Sequence, residues 1–408
     1  MRPDPRRQAQ EIFAAGLAAA DPARAVKQAL ASAPIAPALI LAIGKGARLM
    51  AKAAQEQIKA AGHAPAPTLI VTNYENARPL KGAELLAAGH PIPDENGARA
   101  AKRLIQALHA LPEDAVVLAL ISGGGSALLP APPPGITLAD KAELNRLLLG
   151  SGAPIEAMNL VRQQVSLIKG GGLLRLAAPA QIQALILSDV IGNDLRAIAS
   201  GPTTAPIGSR KDACQLLENA GLWAQLPASI AAHLSAEQPA HKPLPKAQNI
   251  LIGSNELSVA AMAKAAPGAH IAPKPLIGDV GHAAQDILNL RAPGIYLFGG
   301  ETTVELRGSG LGGRNQELAL RIALGAQKAG WGTFTFLSGG TDGRDGPTDA
   351  AGGIVDAGSL ERMRARGIDP IASLQNNDSY HALKASDDLL MIGATGTNVA
   401  DLQVLILE

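Results

Sequence analysis

The sequence has little cysteine, few aromatic residues, no long apolar run and almost no net charge. Its single cysteine, Cys214, cannot pair within the chain, which is typical of a reducing compartment. Aromatic residues make up only 2%, so aliphatic side chains must fill the core. No apolar segment approaches the roughly 20 residues that span a bilayer, and a net charge of +1 gives no general attraction to nucleic acid. We therefore expect a cytoplasmic protein that binds neither nucleic acid nor membrane.

Apolar runs alternate with helical patterns along the whole chain, which predicts an α/β fold with a largely parallel sheet. At 408 residues the chain exceeds what one hydrophobic core usually fills, so two domains are expected. Residues 233–248 are rich in proline and lysine and form the predicted linker, with domains over residues 1–235 and 236–408. The predicted strands cover residues 39–43, 68–72, 116–121, 182–188, 249–252, 294–298, 302–306, 333–337 and 404–408.

Two glycine turns carry a cation directly before a predicted helix. Lys45 lies between Gly44 and Gly46, and Arg314 follows Gly312 and Gly313. A cation is unfavourable there, because the N-terminus of a helix already carries roughly half a positive charge. A bound anion would remove the conflict, since the free N–H groups of the helix also attract it. The two turns predict a polyanionic ligand between two lobes, for which a nucleoside triphosphate is the natural candidate.

A triple-glycine loop follows the predicted strand at residues 116–121. Glycines let the backbone approach a ligand closely and point several N–H groups at an anion, although a tight turn would use the same residues. The loop consists of Ser122, Gly123, Gly124, Gly125 and Ser126. The loop predicts a site for a phosphate or a carboxylate.

Three further polar residues stand at distinctive turns. Asp189 ends a predicted strand, which suits a general base or an indirect Mg²⁺ ligand, and an Asx-turn is the structural alternative. Lys169 precedes three glycines, so it either meets an anion or belongs to the last turn of a helix capped by glycine. His90 lies in a Gly-His-Pro-Ile-Pro-Asp turn and either contacts substrate or stabilises that turn.

Asp342, Asp345 and Asp349 form the densest group of carboxylates, on a glycine-rich loop that follows a predicted strand. Mg²⁺ usually takes one or two carboxylates together with substrate phosphates, so we expect Asp342 and Asp345 to hold this metal. A polar turn capped by aspartates is the alternative.

Residues 308–313 formally match the G-x-G-x-x-G pattern of dinucleotide-binding folds. The acidic residue that should end the next strand is missing at the required spacing. The match therefore gives weak support to a nicotinamide cofactor and is interpreted as a phosphate-binding turn.

Several motifs together resemble the class II glycerate kinases over nearly the whole chain. The motifs in the first half surround Lys45, His90, the triple-glycine loop, Asp189 and Asn193, the last in Ser-Asp-Val-Ile-Gly-Asn. The second half is similar to the MOFRL module of that family. The motifs there contain Glu301 in Gly-Gly-Glu-Thr-Thr, the run Arg314-Asn315-Gln316, Asp342 and Asp345, and Asn398.

The resemblance implies a Rossmann-like N-terminal domain, a MOFRL C-terminal domain and a cleft between them. It implies phosphorylation of D-glycerate to 2-phosphoglycerate with ATP as co-substrate and Mg²⁺ as cofactor, with Lys45 and Arg314 catalytic. Asp189 is then the candidate base for the glycerate hydroxyl. The predicted substrate or phosphate contacts are Ser122, Gly123, Gly124, Gly125, Ser126, His90, Lys169, Asn193, Glu301, Asn315 and Gln316.

Two other functions remain open from the sequence. Relatives labelled hydroxypyruvate reductase make an NAD(P)H-dependent reductase the main alternative, and a non-catalytic binder of nucleotides or sugar phosphates is a further one. Monomer and homodimer are both open.

Overall fold

A computed structural model describes residues 4–237 and 243–408 of the chain. None of the helices in these residues is long and apolar enough to cross a membrane. The α-helices, in chain order, are α1 (Pro5–Ala19), α2 (Pro22–Ser32), α3 (Ala47–Ala60), α4 (Glu95–His109), α5 (Gly125–Leu128), α6 (Leu138–Gly150), α7 (Ile155–Gln164), α8 (Gly172–Ala177), α9 (Arg210–Asn219), α10 (Ala228–Ser235), α11 (Asn255–Ala265), α12 (Val280–Leu288), α13 (Arg314–Ala329), α14 (Ser359–Ala365), α15 (Pro370–Gln375) and α16 (Ser379–Ala385). The strands are β1 (Leu39–Ile43), β2 (Thr68–Asn73), β3 (Ala83–Ala88), β4 (Val116–Ile121), β5 (Gln181–Leu187), β6 (Ala247–Gly253), β7 (His270–Ile271), β8 (Leu276–Asp279), β9 (Gly294–Thr303), β10 (Phe334–Gly340), β11 (Gly352–Asp356), β12 (Leu389–Leu390) and β13 (Asp401–Leu407).

The chain forms two compact units, which confirms the predicted two-domain α/β organisation. The first unit is continuous and covers Pro22–Ile252, whereas the second joins the described residues up to Asp21 to Gly253–Glu408. This division differs from the predicted domains in two places. Helix α1 packs with the C-terminal half of the chain, and β6, which follows the predicted boundary at residues 235 and 236, joins the first sheet. Part of the predicted linker, residues 238–242, lies outside the described residues.

The first unit is built on a six-stranded sheet with the order β3-β2-β1-β4-β5-β6. The pairs β3–β2, β2–β1, β1–β4 and β4–β5 are parallel. Strands β1 and β2 are buried at every position, as their continuous apolar sequence predicts for a sheet covered on both faces. Because β1, β4 and β5 are neighbours and run parallel, the loops that follow them meet at one edge of the sheet.

A separate helical core in the same unit fixes α6, α7, α9 and α10 to one another. Its buried members include Leu144 and Leu148 of α6, Val161 of α7, Leu217 of α9 and Ile230 of α10. This packing holds α6 and α7 in place, and both helices contribute cations to a cavity described below.

The second unit contains a mixed sheet with the order β12-β11-β10-β13-β9-β7, and β8 also pairs with β9. The pairs β12–β11, β11–β10, β10–β13 and β13–β9 are antiparallel, whereas β7 and β8 lie parallel to β9. The expectation of a largely parallel sheet is therefore wrong for this unit. Alternating apolar runs and helices do not specify strand direction when a helix can return the chain to either end of a sheet.

Helix α1 belongs to the second unit because its apolar face completes that core. Ile12 and Phe13 are buried in one cluster with Met262, Leu337 and Leu402. A Cβ added at Gly16 would lie 2.7 Å from the Met262 side chain, so the helix and α11 are in close contact. The predicted N-terminal helix is thus part of the C-terminal core.

Candidate active site

The Lys45 turn and the triple-glycine loop form one structure at the edge of the parallel sheet. Ser122 Oγ accepts a hydrogen bond of 3.0 Å from the Gly46 N–H, and the Lys45 N–H donates to the Gly123 carbonyl at 2.9 Å. Gly44 has a φ of +117°, and a Cβ there would lie 2.4 Å from the Ser122 carbonyl oxygen. Glycine is therefore required at position 44 for the two loops to approach each other.

Asp189, His90 and Lys45 surround the triple-glycine loop. A Cβ added at Gly123 would lie 2.0 Å from Oδ2 of Asp189. A Cβ at Gly124 would lie 3.1 Å from the His90 ring and 3.3 Å from Cγ of Lys45. The structure thus brings together these predicted residues of the N-terminal half, with the loop backbone between them.

The loop keeps several backbone donors available. In the described part of the chain, the N–H groups of Gly123, Gly124 and Gly125 have no hydrogen-bond acceptor. Gly124 adopts a φ of +86°, a left-handed conformation that L side chains rarely adopt. Free N–H groups beside a lysine are the features that bind an oxyanion.

Burial shifts the pKa values of the two titratable side chains beside the loop. Burial raises the pKa of Asp189, against the effects of a backbone N–H and of Lys45. Burial lowers the pKa of His90, Lys45 lowers it further, and Glu75 partly opposes them. Asp189 is therefore a better proton acceptor than an exposed carboxylate, and His90 is biased towards its neutral form.

Lys169 extends this region through the last residue of the loop. Its Nζ donates a hydrogen bond of 2.7 Å to Ser126 Oγ, and Ser126 Oγ lies 2.9 Å from Ser200 Oγ. The side chain is only 8% exposed. The alternative role in the last turn of a helix is wrong, because α7 ends at Gln164 and α8 begins at Gly172.

A cavity of about 490 Å³ opens beside the loop, wholly within the first unit. Besides the exposed Arg146, two cations that sequence reasoning missed line this cavity, Lys141 of α6 and Arg162 of α7. A cation in a helix normally indicates a solvated face, so only the packing of α6 and α7 reveals that they point inward. The lining residues are His90, Pro91, Ile92, Pro93, Gly124, Ser126, Ala127, Pro130, Leu138, Lys141, Ala142, Leu144, Asn145, Arg146, Leu149, Arg162, Val165 and Lys169.

Arg314, in the second unit, is neutralised by carboxylates of the protein. Its Nε and Nη2 donate to the two carboxylate oxygens of Asp401 at 2.6 and 3.0 Å, and Nη1 lies 3.1 Å from Glu301. Burial would lower the pKa of Arg314, but the bond to Asp401 outweighs it and raises that pKa. Asp401 is 1% exposed and was missed by sequence reasoning. Its position at the start of a buried strand, β13, was the available signal.

Asp345 occupies the N-terminus of α13, where an external anion was expected. Its carboxylate accepts hydrogen bonds from the backbone N–H groups of Asn315 at 3.1 Å and Gln316 at 2.8 Å. Burial raises the pKa of Asp345 to about 6; the two N–H groups oppose this, Asp401 adds to it and Arg314 reduces it. The electrostatic conflict at the Arg314 turn is thus resolved within the protein.

Most backbone N–H groups of the glycine-rich segment 308–313 are bonded within the protein, and its interpretation as a phosphate-binding turn stays a prediction. The backbone N–H groups of Gly308 and Leu311 donate to Asn377 and Asp378 side chains at 3.0 Å each. The Gly310 N–H donates to the Asn376 carbonyl at 2.9 Å. The Ser309 N–H likewise donates to the Asn376 side chain at 3.1 Å. Four of the six N–H groups are thus used within the protein, which leaves those of Gly312 and Gly313 for an anion.

The remaining predicted contacts are placed as follows. Asn315 and Gln316 are buried, and their side-chain amides donate towards Asp345 or Thr348, so their contact with substrate stays a prediction. Asn193 lies in the loop after β5 with a φ of +54°.

Among the described residues, no group of three or more His, Cys, Asp or Glu side chains could hold a metal ion.

Comparison with known proteins also divides the chain into two parts. Residues 8–235 match a domain of unknown function, DUF4147, and residues 294–401 match the MOFRL family. A D-glycerate 2-kinase from Thermotoga maritima is 40% identical over 409 residues, which cover 96% of each protein. A putative hydroxypyruvate reductase from Agrobacterium vitis is also 40% identical, over 98% of this chain and 93% of its own length.

A solved structure shares the whole architecture. The crystal structure of a glycerate kinase from Thermotoga maritima matches this chain with a TM-score of 0.91 and 38% identity, covering 99% of both chains. The resemblance seen in the sequence motifs is confirmed by this agreement in fold and sequence. The chain therefore belongs to the class II glycerate kinase family, which joins a DUF4147 domain to a MOFRL domain.

Proposed function

We propose that this protein transfers the γ-phosphoryl group of ATP to the 2-hydroxyl of D-glycerate. Relatives named D-glycerate 2-kinase and glycerate 2-kinase, at 40% and 38% identity over most of the chain, support this proposal. The structural observation that carries this proposal concerns the surroundings of the triple-glycine loop. A half-buried carboxylate, a lysine and several free backbone N–H groups surround the triple-glycine loop.

Phosphoryl transfer needs positioning and charge stabilisation more than covalent chemistry. In our proposal Asp189 accepts the proton of the attacking hydroxyl, which its raised pKa favours. The free N–H groups of Gly123, Gly124 and Gly125 hold phosphate oxygens, and Lys45 balances their charge. Lys45 lies close enough to lower the pKa of both Asp189 and His90, so its charge acts at this loop.

Arg314 is proposed as the second cation that stabilises the transferred group. Its bidentate contact with Asp401 fixes the plane of the guanidinium, while Nη1 meets the exposed Glu301. A guanidinium held in this way loses little conformational freedom when it meets a phosphate oxygen. The contact with Asp401 therefore positions Arg314 before substrate binds.

Mg²⁺ is part of the proposal, and the two predicted ligands differ in how well they fit. The Asp342 carboxylate is half-buried, and one oxygen accepts the Arg344 N–H at 3.0 Å, which leaves the other for a cation. Asp345 already accepts two backbone N–H groups and is 2% exposed. Asp342 therefore fits the role better. A bound Mg²⁺ would neutralise phosphate charge there.

The test is turnover of D-glycerate with ATP and Mg²⁺, with the position of the product's phosphate determined by phosphorus NMR. We expect 2-phosphoglycerate. A parallel assay follows NADH oxidation with hydroxypyruvate, the reaction suggested by the name of the Agrobacterium vitis relative. Reduction of hydroxypyruvate without phosphorylation of glycerate would refute the proposal, and so would nucleotide binding without any turnover.

A further inference from the structure

We propose that Lys141, Arg162 and Lys169 form a pocket for the carboxylate of the acceptor and so select 2-hydroxy acids over uncharged alcohols. This inference rests on the proposed kinase function and adds specificity residues to it. The three cations come from α6, from α7 and from the segment between α7 and α8, and they line the same cavity.

None of the three cations has a carboxylate partner within the described residues. Lys169 Nζ donates to Ser126 Oγ at 2.7 Å, Lys141 Nζ donates to the Val165 carbonyl at 3.0 Å, and Arg162 donates to the Asn145 side chain. Buried charges in proteins are normally paired, because leaving water without a partner is costly. Lys169 is buried, and Lys141 and Arg162 are half-buried. Three such cations around one cavity indicate an anionic ligand.

Arg146 lines the same cavity but differs from the three pocket cations, because it has a carboxylate partner. Its guanidinium pairs with Glu143 on the same helix at 2.6 Å, and its side chain is 68% exposed. Arg146 therefore needs no ligand, and it provides a matched control for substitutions in the pocket.

The three cations of the pocket disfavour one another's charge. Burial lowers the pKa of Lys169 well below its ordinary value, and Lys141 and Arg162 lower it further. Burial and Arg162 lower the pKa of Lys141 to about 8. An anion beside them would raise both pKa values, so carboxylate binding is coupled to proton uptake.

The pocket adjoins the proposed base. A second cavity of about 240 Å³ is lined by Asp189 and shares Gly124, Ser126 and Arg162 with the first. A carboxylate held by Arg162 and Lys169 would leave the neighbouring hydroxyl on the side of Asp189. This placement suits an acceptor whose hydroxyl is on the carbon next to the carboxylate.

The experiment compares Arg162→Gln and Lys141→Met with Arg146→Gln, using the full chain. For the two pocket variants we expect the KM for D-glycerate to rise roughly tenfold or more, since each loses a charged hydrogen bond. The KM for ATP, kcat, and all parameters of the control should stay near wild type. Arg162→Lys, which keeps the charge, should recover part of the loss. An unchanged KM for D-glycerate, or a raised KM for ATP instead, would overturn the proposal.

Direct calorimetric titration with D-glycerate, without nucleotide, separates failure of the pocket from failure of the function. The wild-type protein could bind D-glycerate without showing kinase turnover, and Arg162→Gln could abolish that binding. This result would support the pocket and refute the proposed function. Turnover with wild-type affinity in Arg162→Gln would refute the pocket alone. In wild type, binding should weaken as the pH rises above about 8, where Lys141 loses its proton. His90, Arg146, Arg162 and Lys169 also line this cavity. A pH dependence that persists unchanged in Lys141→Met would therefore exclude Lys141 as its source.

Discussion

Gly123→Ala is expected to disable the proposed base without unfolding the protein. The added Cβ would lie 2.0 Å from Oδ2 of Asp189, whereas non-bonded heavy atoms prefer about 3.5 Å. The carboxylate must therefore move by roughly 1.5 Å, and misplacement of a reacting group by about 1 Å can cost about 100-fold in rate. We expect kcat to fall by about this factor. The added methyl group should cost about 1–3 kcal/mol of stability, as overpacking usually does.

The assay measures kcat for glycerate phosphorylation and the thermal midpoint of the same sample. Gly150→Ala is the matched control, because a Cβ there meets nothing within 4 Å. Asp189→Asn and the double variant Gly123→Ala/Asp189→Asn complete a thermodynamic cycle. If Gly123→Ala acts through Asp189, the double variant should be no slower than Asp189→Asn alone. Wild-type kcat in Gly123→Ala, or losses that multiply in the double variant, would refute the reasoning.

Three further variants test charges elsewhere in the molecule. Lys45→Met should lower kcat at least about 100-fold with an unchanged thermal midpoint, and a lowered midpoint would show a structural role instead. Arg314→Met should lower kcat and also destabilise by about 3–5 kcal/mol, because it leaves Asp401 buried and unpaired; urea unfolding measures this, and unchanged stability would contradict it. Because the pKa of Asp345 is raised in the folded protein, this carboxyl group loses its proton at a lower pH in the unfolded chain than in the folded one. The free energy of unfolding should therefore fall as pH rises from about 4 to about 6, by roughly 3 kcal/mol, and then level off. Asp345→Asn should remove most of this change when urea unfolding is measured across that pH range. If the free energy of unfolding of the variant depends on pH as in wild type, Asp345 is not the cause.

The first unit was largely predictable because each of its signals is local. Strands β1 and β4 lie at the predicted residues, and α3 begins at the predicted position. Lys45, the triple-glycine loop and Asp189 each follow an apolar strand, and the parallel arrangement brings such strand ends together. The proximity of these residues in the structure could therefore be predicted from the order of strands and loops in the sequence.

The environment of Arg314 could not be predicted, because its partner is distant in sequence. The last strand was predicted from residue 404, but β13 begins at Asp401, and its antiparallel pairing with β9 sets Asp401 opposite Gly300. Strand ends are the least certain part of a prediction from apolar patterns. The three missing residues included the carboxylate that neutralises Arg314.

The inward cations were missed for a related reason. Lys141 and Arg162 lie on helices whose sequence pattern does not show which side faces a cavity. Only the separate core of α6, α7, α9 and α10 determines their direction. Side chains whose roles depend on helix-to-helix packing carry no local signal.

The attachment of α1 to the C-terminal core has a consequence for synthesis of the chain. Among the described elements α1 is synthesised first, whereas β13, which contributes Leu402 to the cluster around Phe13, is synthesised last. The whole of Pro22–Ile252 lies between them and can assemble as a continuous unit while the ribosome is still working. Until α11 emerges with Met262, the apolar face of α1 has no native partner, and its cluster is complete only when β13 follows. Chaperone occupancy on a nascent chain should therefore persist at α1 after the first unit has folded.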